Sequence, residues 1–328
     1  MTAMRAMLSR YRTHLMVVIA GAAFAATFIA IVLSGFHQPT PHGLPVGIVA
    51  PAPVVHYLEQ GLQAQLPGGL DLRSISSDTS ARAQLTHRDI DAALIVTRGG
   101  LHLLTAEATG NSPTQLITNV FTELSAKTGG KLTVTDVVPP SSKDSQALSS
   151  FFLILCTLFP SIGIGIVVGY GLRPHPLASR LAVLVAFASI TGLAAAGIGD
   201  AISGLHHYWA AAGIVALFSL AISAPAAALG QVKPHLAALC VLVFLVLGLP
   251  ASGGPANLAA FGPGYLRSLT SALPLGAAVN AIRNTVYFHA AHTTGHLWVL
   301  TAYAAGGLAL LCLLFTLSKR LQRRRETQ

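Results

Sequence analysis

The chain has 328 residues, 53% of them hydrophobic and only 9% charged, with a formal net charge of +9. A soluble domain carries roughly 25% charged residues, so this composition excludes a purely soluble protein. The positive charge does not point to nucleic acid either. It sits at the ends of apolar stretches, as Arg5, Arg10 and Arg12, then Arg173 and Arg180, then Lys233, then Lys319, Arg320, Arg323, Arg324 and Arg325. Charge placed in this way encodes membrane topology.

A bilayer core takes about 20 apolar residues per helix, and backbone groups cannot stay unpaired in hydrocarbon, so spanning stretches must be helical. The first such stretch runs from about Leu15 to Phe36, without a clear cleavage site, and reads as a retained anchor. Five more follow, over about 151–172, 181–202, 210–230, 235–249 and 297–317. The expected fold is therefore a mainly α-helical membrane protein with six transmembrane helices. It divides into 1–36, a cytoplasmic N-terminus with the first helix; 37–148, an inserted extracytoplasmic α/β domain; and 149–328, five helices, an outer re-entrant segment over 265–288 and a basic tail. With six spans, every basic cluster falls on one side, which the positive-inside rule makes the cytoplasm, and the chain is expected in the plasma membrane. Both termini are then cytoplasmic. The three cysteines, Cys156, Cys240 and Cys312, lie in spans, so no disulfide framework is expected outside.

The polar block alternates strands and helices. Leu44–Ala50, Leu70–Ile75, Ile90–Thr97, Leu101–Ala106 and Leu132–Val138 read as strands, with Gly99-Gly100 turning the third into the fourth. Val54–Leu66, Thr79–Thr86 and Pro113–Lys127 read as helices. Asn111 or Ser112 is the expected cap of the last helix and Gly129-Gly130 its stop. This alternation predicts a partly parallel sheet covered by helices. With over a hundred residues it is expected to fold by itself. Its carboxylates, Ser and His residues show no catalytic spacing.

Several segments occur together: LPVGIVAPAPV after the first span, DAALIVTRGG, and TDVVPPSSKDSQALSSFFLILCTLFPSIGIGIVVG entering the second. This layout resembles the YhgE/Pip-like branch of the type-2 ABC transporter permeases. The stretch Leu273–Phe288 (LPLGAAVNAIRNTVYF) is similar to that family's segment before its last span. The resemblance implies a membrane subunit of an exporter, powered by a separate ATPase and working as a homodimer or with a sister permease. The chain has no G-x-x-x-x-G-K-[ST] loop of its own. Its N-terminal segment and the RPHPLASR loop are shorter than an ATPase-coupling helix needs. No catalytic residue, cofactor or metal is implied.

The candidate transport or structural residues are Asp200, Arg283, Pro160 and Asn280. Asp200 is the one acid within the expected spans, and ionisable groups there are costly and often functional; the other reading is a carboxylate at the outer interface. Arg283 is its natural partner, since both fall near the outer leaflet. Pro160, with Gly163, Gly165, Gly169 and Gly171, marks a kinked or closely packed helix. His289, His292 and His296 would share a helix face, yet no Cys or acid accompanies them as a metal set. The leading functional reading is a permease subunit exporting a hydrophobic or amphiphilic compound. The alternative is a non-transporting membrane protein whose outer domain binds a partner, a cell-wall component or a phage.

Overall fold

A computed structural model describes Ala26, which is helical, and residues 41–97, 100–252, 254 and 264–326. The first expected span lies outside these residues apart from Ala26.

The polar block forms a five-stranded sheet of order β2-β1-β3-β4-β5. Its strands are β1 (Leu44–Val49), β2 (Leu70–Ser74), β3 (Ala92–Thr97), β4 (Gly100–Thr105) and β5 (Leu132–Asp136). Only β3 and β4 pair antiparallel, with Thr97 opposite Gly100 across a two-residue connection; the other neighbours are parallel. Strict alternation decides which side chains go to which face. Leu44, Val46, Ile48, Leu94 and Leu103 join Val55, Leu58 and Leu62 of α1 (Ala52–Gln65) and Ile117 and Phe121 of α3 (Asn111–Thr128). The opposite face, with Ala93 and Leu104, receives Ala81 and Leu85 of α2 (Asp78–Thr86). Ser77 caps α2, its Oγ accepting from the Ser80 amide at 3.2 Å. The start of α3 differs from expectation. Gly110 stands at the cap position with φ 129° and Asn111 is already helical, whereas the predicted stop is found, with Gly129 at φ 65°.

Four helices among the described residues are long and apolar enough to cross a bilayer. They are α4 (Ser149–Ile166), which continues through a π-helical turn to Gly171, α5 (Leu177–Ser203), α6 (Tyr208–Val232) and α10 (Thr293–Glu326). These match four of the six expected spans. The fifth is shorter: α7 (Pro234–Leu247) begins with a 3-10 turn and ends in a π-helical stretch. The expected re-entrant segment resolves into α8 (Gly264–Ala272) and α9 (Pro274–Tyr287), separated by the extended Leu273, with Pro274 opening α9.

α6 is the centre of the bundle, packed by α4, α5, α9 and α10. Helices in lipid associate by close packing, not by hydrophobic exclusion, so small residues mark their contacts. Gly165 and Gly169 of α4 lie against the α6 backbone near Ser223 and Ala227, Gly192 of α5 against Ala212 and Ala216, and Gly307 of α10 against the Pro225 ring. A Cβ at any of these positions would collide. Gly163 faces open space, so only two of the four glycines in the first of these helices serve the packing that their frequency suggested.

The sheet and the helices share a core. Phe288, just beyond α9, is fully buried among Ile75, Leu85, Ile90, Leu104 and Val138 of the sheet unit. The described residues from 41 onward accordingly form one compact unit. Phe288 fills the α2 side of the sheet from far along the chain.

Candidate functional site at the sheet–helix junction

The junction is built around Arg88. It stands in the turn between α2 and β3 with a left-handed backbone, φ 60°. Its guanidinium donates to the side-chain oxygens of Asn284 and, at 2.9 Å, Asn280. The same group stands 5.5 Å from the Phe288 ring centre, within cation–π range. Asn280 is anchored in turn by donating to the Gly276 carbonyl at 3.0 Å. A planar fork with several donors fits two amide oxygens one helical turn apart. Burial lowers the Arg88 pKa and the charge of Asp91 partly restores it.

A second knot lies beside the first. Arg283 is 2% exposed, and its Nη2 donates to the Ala147 carbonyl at 3.4 Å. Burial, and next the neighbouring Arg88, lower its pKa to about 9, against the opposing pull of Tyr287 and Asp144. Asp144 accepts from the amides of Leu148 and Ser149 at 3.0 and 3.2 Å, and from the Tyr287 hydroxyl at 3.2 Å. A carboxylate at the first turn of α4 also complements the positive end of that helix. Asp144 thus ties the chain leaving the sheet to α4 and α9 together.

The chain then reverses through His289, Ala290 and His292, all left-handed at φ 49°, 61° and 55°. Non-glycine residues rarely adopt this conformation, at a cost of roughly 1–2 kcal/mol each. It persists because both sides are fixed. Phe288 is buried in the sheet core, the Ala290 amide donates to the Asn284 carbonyl at 2.9 Å, and His292 Nε2 stands 3.1 Å from Asp89. The break also removes the continuous helix that would have aligned His289, His292 and His296, and no group of metal-binding side chains occurs among the described residues.

Of the four candidate residues, the structure brings Asn280 and Arg283 into this junction. Asp200 is elsewhere. Its carboxylate is exposed and lies 3.8 Å from His206, not against Arg283. The expected Asp200–Arg283 pair is therefore not formed. The loop after α5 supplies a local partner, while Arg283 is on a helix buried nearly throughout. Pro160 is exposed on α4 and lines a groove shared with α5. Arg88 and Phe288 escaped sequence reading as site residues. In the sequence Arg88 reads as one more arginine beside a short helix that already carries Arg82, and nothing local sets it apart.

The far end of the bundle is basic and closed. Arg173 donates to the carbonyls of Gln231 and, at 2.9 Å, Val232, at the C-terminus of α6. Arg180 donates to Gln231 Oε1 at 2.7 Å and faces the Phe315 ring at 5.2 Å. Cations at a helix C-terminus satisfy its last carbonyls. The chain direction places Arg173, Arg180, Lys233 and Lys319 at this end, and the sheet at the other. No protein-family model, curated protein or solved structure matches the chain.

Proposed function

We propose that the chain is a multi-pass plasma-membrane subunit of an exporter for a hydrophobic or amphiphilic compound, driven by a separate ATPase. In this reading six helices cross the bilayer, the sheet faces outward and both termini are cytoplasmic. The observation that carries it is the Arg88–Asn280/Asn284 contact with Phe288 seated in the sheet core. A soluble domain that serves only to be displayed needs no buried polar link to a short broken helix. A domain that moves with the helices does, because displacement of α9 is passed to the sheet through the fork and the ring. The pore would be completed by a second copy or a sister subunit.

The test is accumulation of a panel of fluorescent amphiphilic dyes in cells that naturally carry the chain. Deleting it should raise accumulation of at least one dye. Wild type should restore efflux, and Arg88→Ala at equal membrane level should not. Unchanged accumulation of every dye on deletion would favour a second reading, a membrane protein whose outward domain binds a partner, a cell-wall component or a phage. That reading draws on the basic end, where the Arg173–Arg180 loop is fastened to α6 and leaves little for an ATPase to grip.

A further inference from the structure

The wall shared by α4 and α5 carries a groove of about 340 Å³. It runs from the middle of the bundle toward the sheet, because its lining extends from Pro160 and Thr191 to Ser149 and Ser203. Its depth comes from small side chains on α5, Ala195 and Gly199, and from Pro160 on α4. It opens sideways, since its rim residues Phe152, Ile198 and Ile202 are 48%, 58% and 69% exposed. On helices that cross a bilayer, such a mouth opens on acyl chains.

We propose that this groove binds one acyl chain of a glycerophospholipid, with the lipid phosphate beside Lys143. The inference rests on the reading that α4 and α5 cross a membrane. Three observations identify the occupant. The shaft is apolar and its sheet-side end carries the hydroxyl residues Ser149 and Ser203, so it matches a molecule with a long tail and a polar head. The stem of Lys143 lies against Gly204, between the lining residues Ser203 and Leu205, and Lys143 makes no ion pair among the described residues. An exposed ammonium at headgroup depth attracts phosphate. Finally, Trp209 and Trp298 open α6 and α10 at the same end of the bundle with 77% and 70% exposure. Exposed tryptophans collect at the level of lipid headgroups, so the polar end of the groove lies where a phosphate would be.

The experiment uses the full chain in lipid nanodiscs containing a trace of phosphatidylglycerol with a diazirine on one acyl chain. After illumination, labelled residues are mapped by mass spectrometry. The exposed face of α10, with Leu313 and Leu317, reports ordinary surrounding lipid. Labelling of Phe152, Cys156 and Ile198 should exceed that reference several-fold, because a chain held by close packing and by its phosphate at Lys143 stays beside these residues longer than ordinary lipid does. Ala195→Trp, which fills the groove, should remove the excess. Lys143→Glu should lower it several-fold with α10 labelling unchanged, and this exposed change carries the test if the tryptophan variant does not fold. Even labelling of both faces, or indifference to Lys143, overturns the proposal, as does a groove left unlabelled because a second copy covers it. Failure to enter nanodiscs defeats the membrane reading as well, whereas inserted but evenly labelled protein defeats this inference alone.

Discussion

Arg88 donates to Asn280 at 2.9 Å across 192 positions of sequence, joining the turn before β3 to a helix packed inside the membrane bundle. The contact ties the sheet to α9 through a buried polar link. Replacing Arg88 by methionine keeps much of the stem and removes the fork. Two buried amide oxygens then lose their donor, at about 1–3 kcal/mol for each that stays dry. The melting temperature of Arg88→Met in detergent should fall accordingly. Combining it with Asn280→Ala should cost less than the sum of the two changes; additive losses would show that the fork carries no coupling.

Phe288→Ala should open a cavity on the α2 side of the sheet and destabilise the unit by about 3–5 kcal/mol. The loss should appear as faster amide exchange in α2 and β4, both distant in sequence, with α5 unaffected. Exchange that accelerates only near residue 288 would contradict the shared core.

Asp200→Asn is expected to be nearly silent for stability, within about 0.5 kcal/mol, because its ion pair with His206 is exposed on both sides. Asp200→Asn and Arg283→Gln should show no coupling. A sizeable coupling energy in a double-mutant cycle would bring the two residues back together.

Gly169→Leu should be among the most damaging single changes in the bundle, since the new side chain would meet the α6 backbone at Ala227 and Gln231. Overpacking costs about 1–3 kcal/mol or more. Gly163→Leu, facing open space, serves as its control and should keep wild-type membrane accumulation. Equal loss in both would point to helix insertion, not to the α4–α6 contact.

For orientation, single cysteines at Gln115 and Ser318, in a background without the native cysteines, should respond oppositely to an impermeant thiol reagent on intact cells. Labelling at 115 and protection at 318 is the expected result. The reverse pattern would invert the topology.

What was legible in the sequence was local. The strands and the helices between them could be read from the alternation of apolar runs and polar segments, and Gly129 marked the stop of α3. The apolar runs of α4, α5, α6 and α10 needed only counting. The junction was not legible, because Arg88, Asn280, Asn284 and Phe288 acquire meaning only when distant segments meet, and no local pattern records that meeting. The same holds for Pro225, unremarked inside an alanine-rich run until Gly307 is seen to make room for its ring. The Asp200–Arg283 pairing failed for a related reason. Shared depth in the membrane says nothing about the side of the bundle on which a residue lies, and His206 was the nearer partner all along the chain.

The seating of Phe288 has a consequence for biogenesis. A ribosome releases the five strands long before it reaches residue 288, so the sheet emerges with one face incomplete. Until α9 is in place, Ile75, Leu85, Ile90 and Leu104 have nothing to cover them at that point. The final side chain of this core arrives only after three of the four long apolar helices, α4, α5 and α6, have been made. Maturation of the soluble part is thus timed by insertion of the membrane part, and a chain truncated before α9 would present quality-control proteases with an open hydrophobic socket.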